Sequence, residues 1–499
     1  MDELRSGPTG DALPLSLATL PALPASIGRP SYLRAALSAG IVHIGVGNFH
    51  RAHMASYLDE LFAMGLASDW AIIGAGVTEH DAAMRARLAG QDWLSTVVER
   101  DTGVETARVI GSMIDFIAPD NRQRLIEAMA APSTRIVSLT ITEGGYFLDA
   151  GGHFDAGHPV IRRDAQNPSE PTTAFGLIIA ALARRRAAGI LPFTVLCCDN
   201  VPHNGDVTRG VVAGLARLSD PDLAGWIEAR VAFPNAMVDR IAPAVNDTVR
   251  AYVATRFGIR DAAPVPCEPF RQWVIEDHFS AGRPPLEKVG VTFVDDVTPF
   301  ELMKLRMLNG GHAAIAYPAG LLGITFVHEA MQHPLIAAWL DALERREIIP
   351  RVPPVPNTRL DDYLTLITGR FANPTIGDTI RRLCLDGSGR QPKFIIPTIR
   401  DALAANGPIE GLALESALWC RYCVGRTETG AAIEPNDPIW PRLTATAAAA
   451  QDDPAAWLAM DDTYGDTGRH PRFHKAFAEA LTAIRDKGVE AVLKAYAMA

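Results

Sequence analysis

Lys304 sits in the stretch Glu301-Leu302-Met303-Lys304-Leu305-Arg306-Met307-Leu308-Asn309-Gly310-Gly311-His312, surrounded by Leu and Met. A lysine in such company loses solvation, which lowers its pKa toward the range of a general base. Asn309 brings an amide able to donate to a developing oxyanion, and His312 an imidazole able to hold a hydroxyl. Glu301, one helical turn before Lys304, is placed to relay a proton or to pair with the lysine. Asn309-Gly310-Gly311 is expected to loosen or end the helix, so that these polar groups bunch at a helix break. A snorkelling, solvated lysine is the plain alternative.

A second chemical signal is Gly45-Val46-Gly47-Asn48-Phe49-His50, which follows the apolar run Ile41-Val42-His43-Ile44 and precedes a helical pattern over Arg51 to Met64. It carries the first two glycines of the dinucleotide fingerprint, with His50 in place of the third. The first glycine permits the tight turn, the second lets a pyrophosphate approach the backbone, and the helix start favours its negative charge. Gly45, Gly47, Asn48, Phe49, His50 and Arg51 are therefore the candidate cofactor-binding residues. The ribose acid is expected after the next strand, Trp70 to Val77, where Glu79 and Asp81 stand. Either would repel a 2′-phosphate and favour NAD; each is also an ordinary acidic helix start.

Asp199 and Asn200 end the run Phe193 to Cys198, the place where open α/β sheets bind ligands. Asp239 beside Arg240, in an apolar setting, reads as a structural ion pair. Arg382 and Arg390 are candidates to reach a polyhydroxylated or anionic substrate. Cys420-Arg421-Tyr422-Cys423 has zinc-like spacing, but no second pair follows, and Leu418 and Trp419 point to a buried helix. His50 and His53 lack the i, i+4 spacing of two ligands on one helical face. No metal is expected.

The elements that must hold these groups follow from texture. Strands alternate with helices from Gly40 onward, including Ile136 to Thr142, a helix over Ala174 to Ala188 and a last strand at Val289 to Val294, which implies a parallel sheet with crossovers. From about Thr298 the patterns are mostly helical, among them Phe300 to Leu308, His333 to Arg346 and Phe473 to Lys487. Domains of 1–295 and 296–499 are expected. Residues 1 to about 38, rich in Pro, Leu and Ala, read as an arm on the surface of the first.

The 499 residues carry a formal charge of −10, which argues against nucleic acid as the partner. Six cysteines, two of them adjacent, are too few and scattered for a disulfide framework and fit a reducing cytoplasm. Asp2 and Glu3 replace the basic start of a secretory leader. No apolar run reaches the roughly 20 residues of a membrane span. With no long heptad seam, a monomer is the default, a dimer the alternative.

Four blocks together carry a resemblance: Gly45 to His53; Asp199-Asn200-Val201-Pro202-His203-Asn204-Gly205; Phe233-Pro234-Asn235-Ala236-Met237-Val238-Asp239-Arg240; and Lys304 to His312. In this order, and over essentially the whole chain, they closely resemble the polyol-specific long-chain dehydrogenase/reductase family. The resemblance implies a Rossmann-type domain followed by a mostly helical one, NAD as cofactor, and metal-free oxidation of a secondary alcohol, D-mannitol to D-fructose first among the candidates. Fructuronate or mannonate, D-arabinitol and sorbitol are the alternative substrates; a catalytically silent NAD-binding protein is the rival of another class. The resemblance further implies Lys304 as catalytic base, Asn200 and Asn309 as the paired asparagines, His312 as substrate-orienting, Asp239 as a further site acid and Glu301 as proton relay. Two positions depart from the family pattern: Gly311 replaces a serine, and Arg390 replaces a lysine.

Overall fold

The computed structural model describes residues 12–149 and 152–499; the acidic opening segment with Asp2 and Glu3, and the start of the expected arm, lie outside them. The chain divides into two compact units, Met1–Val297 and Thr298–Ala499.

In the first unit, five strands form one fully parallel sheet: β1 (Ala39–Ile44), β2 (Ala71–Ala75), β3 (Met113–Ile117), β4 (Ile136–Leu139) and β5 (Thr194–Cys197). Their spatial order is β3-β2-β1-β4-β5. This is a Rossmann arrangement, in which the chain reverses direction across the sheet between β1 and β4 and leaves a crevice at the carboxyl ends of those strands. Helices cover both faces, which explains why the strands read as unbroken apolar runs. Alternate residues serve opposite sides: Val42, Ile44, Val137, Leu139 and Val195 pack with the helix Ala174–Ala187, whereas Ile41, Ile72, Ile136 and Leu196 pack with Met54–Ala63. Each such aliphatic side chain contributes about 1.5–3 kcal/mol by leaving water.

Several expectations are corrected. The helix after the glycines begins at Asn48 and is broken at His53, giving Asn48–Ala52 and Met54–Ala63, because His53 takes φ −113°, ψ −94°. An antiparallel hairpin, Ser95–Asp101 with Val104–Ile110, was not legible as strands; its polar outer positions hide the alternation. The last strand is only Thr292–Val294, since Leu286–Val289 is a 3-10 turn closed by Gly290 in the left-handed region at φ 97°. The arm does not simply lie on the surface: Leu13–Pro14 pairs in parallel with Ile259–Arg260, and Leu15, Leu23 and Ile27 are buried against Val98, Phe257 and Ile259.

The second unit is helical. Its central helix, Glu410–Cys423, is apolar almost all round and correspondingly buried, with Trp419 packed edge-on to Trp457 at 4.8 Å. The segment holding Lys304 is not broken at the glycines. Thr298–Met303 is α-helical, Lys304–Asn309 widens to a π-helix, and Gly310–Leu321 continues as α-helix. No helix among the described residues is long and apolar enough to cross a membrane.

Gly45 is where the fold tolerates least. Its φ is +98°, and a Cβ there would lie 2.1 Å from the Thr140 carbonyl oxygen. Gly45→Ala is expected to cost at least about 1–3 kcal/mol of stability, read as a lowered urea midpoint; an unchanged midpoint would show that the strand ends can part.

Candidate functional site

The sequence-predicted residues of the first unit gather at the carboxyl ends of the strands. Gly47 donates its N–H to the Gly45 carbonyl at 2.8 Å, closing the turn, and a Cβ added at Gly47 would meet nothing within 4 Å. The backbone is thus bare on the side from which a phosphate would approach. His50 turns inward and stacks on His43 of β1, centroids 3.6 Å apart, which secures the close helix-to-strand packing that a third glycine gives elsewhere. Phe49 stacks separately on His53, centroids 4.7 Å apart.

His43 is hydrogen-bonded to Ser138 Oγ at 2.8 Å and Thr140 Oγ1 at 2.9 Å, and His53 to the Gln272 carbonyl at 2.9 Å. Both His50 nitrogens are buried without a hydrogen-bond partner. Burial holds His43 and His53 down at about 3, and burial together with its cationic neighbours holds His50 well below the ordinary histidine range. All three rings are neutral at physiological pH.

Arg51 is buried as well. It donates to the carbonyls of Ala263 and Gly47 and to Asn48 Oδ1, while Asn48 Nδ2 reaches the Pro243 carbonyl at 2.8 Å. The side chains of His50, Arg51 and Asn48 brace the turn, while Gly47 leaves its backbone open. Asp81 likewise has a local task. Its Oδ2 accepts from the amides of Val77 (3.0 Å) and Thr78 (2.9 Å), completing a capping box on Glu79–Ala89. Glu79 is the exposed first residue of that helix.

Asn200 is exposed just beyond β5, and Asp239 ends the short strand Ala236–Asp239, opposite Gln272. The ion pair expected at Asp239-Arg240 is a different one: the fully buried Arg240 side chain pairs with Glu99 at 2.5 Å and donates to the Ala52 and Glu268 carbonyls.

In the second unit Glu301 and Lys304 are both buried, at 9% and 7% exposure, one turn apart at the α-to-π junction. A π-helical turn frequently marks a functional position, because the wider coil displaces side chains from the regular helical stripe. Asn309 closes that turn. His312, in the next one, stacks on Phe371 with centroids 4.1 Å apart. Burial, reinforced by the positive charges of Arg382, Arg370 and Arg390, keeps its imidazole pKa well below the ordinary range. The ring is a neutral donor and acceptor, suited to a hydroxyl.

The two candidate substrate arginines are committed locally. Arg382 makes a two-pronged ion pair with Asp378, and Arg390 donates to the Arg382 and Leu383 carbonyls, closing the helix Ile380–Leu383. They bear on His312 through charge. Cys420 and Cys423 are buried thiols, pushed up by burial, and no group of three or more metal-ligating residues converges among the described residues.

One residue escaped the sequence reading. Glu344 is fully buried, neither carboxyl oxygen has a hydrogen-bond partner, and burial lifts its pKa far above the usual range. A Cβ at Gly311 would come within 3.0 Å of its Oε1. The glycine that departs from the family pattern was the available signal, since it makes room for this neutral acid.

With this geometry in view, the chain was compared with known proteins. The mannitol dehydrogenase Rossmann domain matches residues 39–288, and the mannitol dehydrogenase C-terminal domain matches residues 296–485. Mannitol 2-dehydrogenase of Cereibacter sphaeroides is 59% identical over 472 residues, covering 94% of this chain and 99% of the relative. That of Aspergillus clavatus is 45% identical over 476 residues, covering 94% and 95%. Among solved structures, Pseudomonas fluorescens mannitol 2-dehydrogenase in ternary complex with NAD and D-mannitol superposes with a TM-score of 0.87 at 44% identity, over 97% of this chain and 99% of that one. A D-sorbitol dehydrogenase in substrate-free form gives a TM-score of 0.88 at 35% identity, over 96% and 100%.

The histidine cluster has a consequence for acid stability. Folded values of about 3 lie below the ordinary 6.5, so the unfolded chain binds more protons as pH falls. The stability these rings carry is complete above about pH 6.5 and drains as pH drops toward 3, by up to about 1.4 kcal/mol per ring per pH unit. Urea midpoints are expected to fall between pH 7 and 5, and to fall less steeply in His50→Phe; identical slopes would remove the ring from the account.

Proposed function

Because the chain belongs to the mannitol dehydrogenase family, we propose that it interconverts D-mannitol and D-fructose with NAD, using Lys304 as general base and no metal ion. The chain is an NAD-dependent polyol dehydrogenase. The observation that carries the finer reading is the placement of a buried Lys304, with Asn309 and His312 following it, on one continuous helix that widens to a π-turn between Lys304 and Asn309.

The first unit fits a dinucleotide. The Gly45–Gly47 turn lies at the switch point between β1 and β4, Gly47 presents bare backbone, and Glu79 and Asp81 stand beyond β2, where a 2′-phosphate would be repelled. When bound, NAD supplies the acceptor for the hydride leaving the carbinol carbon. Lys304 takes the hydroxyl proton on its neutral amine, a form favoured by removal from water. Asn200 and Asn309 donate amide N–H groups to the oxygen as it gains charge, the task a metal ion performs in other alcohol dehydrogenases. His312, neutral, and Asp239 hold neighbouring hydroxyls, and Glu301 passes the proton on from Lys304.

A second reading, a hexuronate substrate, draws on the three guanidinium charges felt by His312. The engagement of Arg382 with Asp378 weighs against it.

NADH oxidation by the purified protein is expected with D-fructose in preference to fructuronate and D-xylulose, well above an NADPH control, and unchanged by chelator. Turnover of fructuronate alone would transfer the assignment to the hexuronate reading, and loss of activity with chelator would remove the metal-free mechanism. Lys304→Ala is expected to lower kcat by about 10²–10⁴-fold, with NADH affinity by fluorescence titration close to that of the parent. Near-normal turnover would overturn the role of Lys304.

A further inference from the structure

Asp199, the residue before Asn200, does more hydrogen bonding than a loop position requires. Its Oδ2 accepts from the Ile141 amide at 2.9 Å and from the Tyr146 hydroxyl at 2.7 Å, and its Oδ1 accepts from the Thr142 amide at 3.0 Å. The Asp199 backbone carbonyl is itself held by the Val201 amide at 2.9 Å and by Asn204 Nδ2 at 3.1 Å. One carboxylate therefore ties the chain leaving β4 to the chain leaving β5, with Asn200 as the next residue.

The donor order is fixed from behind. Tyr146 Oη lies 2.7 Å from Cys197 Sγ. Burial pushes the Cys197 thiol up to about 12 and keeps the Tyr146 hydroxyl protonated. The chain runs Cys197 thiol to Tyr146 hydroxyl to Asp199 carboxylate, leaving the carboxylate as the acceptor of three hydrogen bonds.

What this clamp restrains is strained. Thr142 has φ 65° and ψ 161°, a conformation that costs a β-branched residue of order 1–3 kcal/mol and persists only where its surroundings impose it. The amide Asp199 Oδ1 holds is that of Thr142. On the other side, Thr140 abuts Gly45, whose Cβ would lie 2.1 Å from the Thr140 carbonyl, and its Oγ1 bonds the Gly45 carbonyl at 2.5 Å. The exits of β1, β4 and β5 are thus linked in series, across the switch point of the sheet.

We propose that Asp199, backed by Tyr146, is a positioning residue that holds the strained Thr142 turn and Asn200 in the geometry used for the dinucleotide and the reacting oxygen. This rests on the proposed dehydrogenase reading. With its oxygens taken up by the Ile141 and Thr142 amides and the Tyr146 hydroxyl, the carboxylate acts through Asn200 and through the turn.

Asp199→Asn keeps the shape but leaves one acceptor oxygen for three donors, so at least one tie is lost. It is expected to lower kcat by about 10–100-fold, the scale of an ångström-sized misplacement, with weaker NADH binding by fluorescence titration and faster amide hydrogen exchange over residues 140–147. Tyr146→Phe, which removes one tie, is expected to fall between this variant and the parent. The deciding variant is Asp199→Asn combined with Thr142→Gly. Glycine adopts φ 65° without strain, so the double variant is expected to recover part of the lost kcat and NADH affinity. Parent-like kcat, NADH affinity and exchange in Asp199→Asn would overturn the proposal, as would a loss that Thr142→Gly leaves untouched. A parent protein inactive toward every polyol would count against the dehydrogenase reading instead, while NADH titration and exchange would still decide the clamp.

Discussion

Where the chain leaves β1 it passes so close to the chain leaving β4 that no side chain fits between Gly45 and Thr140. That approach sets the depth of the turn, and the rest of the amino-terminal unit is arranged to sustain it. His43 reaches Ser138 and Thr140 on β4 and its exit, His50 stacks on His43, and Arg51 reaches back to the Gly47 carbonyl and to Ala263. The cost is three imidazoles kept from water and neutral. The gain is a turn braced by buried side chains, with the backbone at Gly47 left open.

Desolvation is also what selects charge states in the helical unit. His312 is held neutral by burial and by the charges of three arginines, and burial without a hydrogen-bond partner, reinforced by the negative charge of Asp341, pushes Glu344 toward its protonated form. Lys304 is buried on the π-turn that precedes both in sequence. Proton transfer needs groups whose protonated and free forms are close in energy at working pH, and removal from water brings a lysine toward that condition. The π-turn provides the second requirement, a displacement of side chains from the regular helical stripe without breaking the helix.

The apolar runs of β1, β2, β4 and β5 were legible because strands buried on both faces have no polar positions to confuse the pattern. The hairpin Ser95–Asp101 with Val104–Ile110 was not, since Glu99, Arg100, Glu105 and Arg108 occupy its outer positions. At the helix of Lys304 the expected break was wrong. Gly310 and Gly311 permit a helix end, but Gly310 takes an ordinary helical conformation and the coil widens instead to a π-turn over Lys304–Asn309. Arg240 illustrates a further limit: adjacency in sequence named Asp239 as its partner, whereas Glu99 came from a distant strand.

The sequence by itself determined the sheet-and-helix order and the glycine turn, because these depend on local composition and spacing. Only the tertiary structure decided which polar side chains brace the fold and through which partners. His50, Arg51 and Asp81 were spent on the scaffold, and Asp199 and Glu344 acquired their environments from residues far away in the chain. The physical reason is that burial and hydrogen-bond partnership are properties of packed neighbours, and no local pattern encodes them.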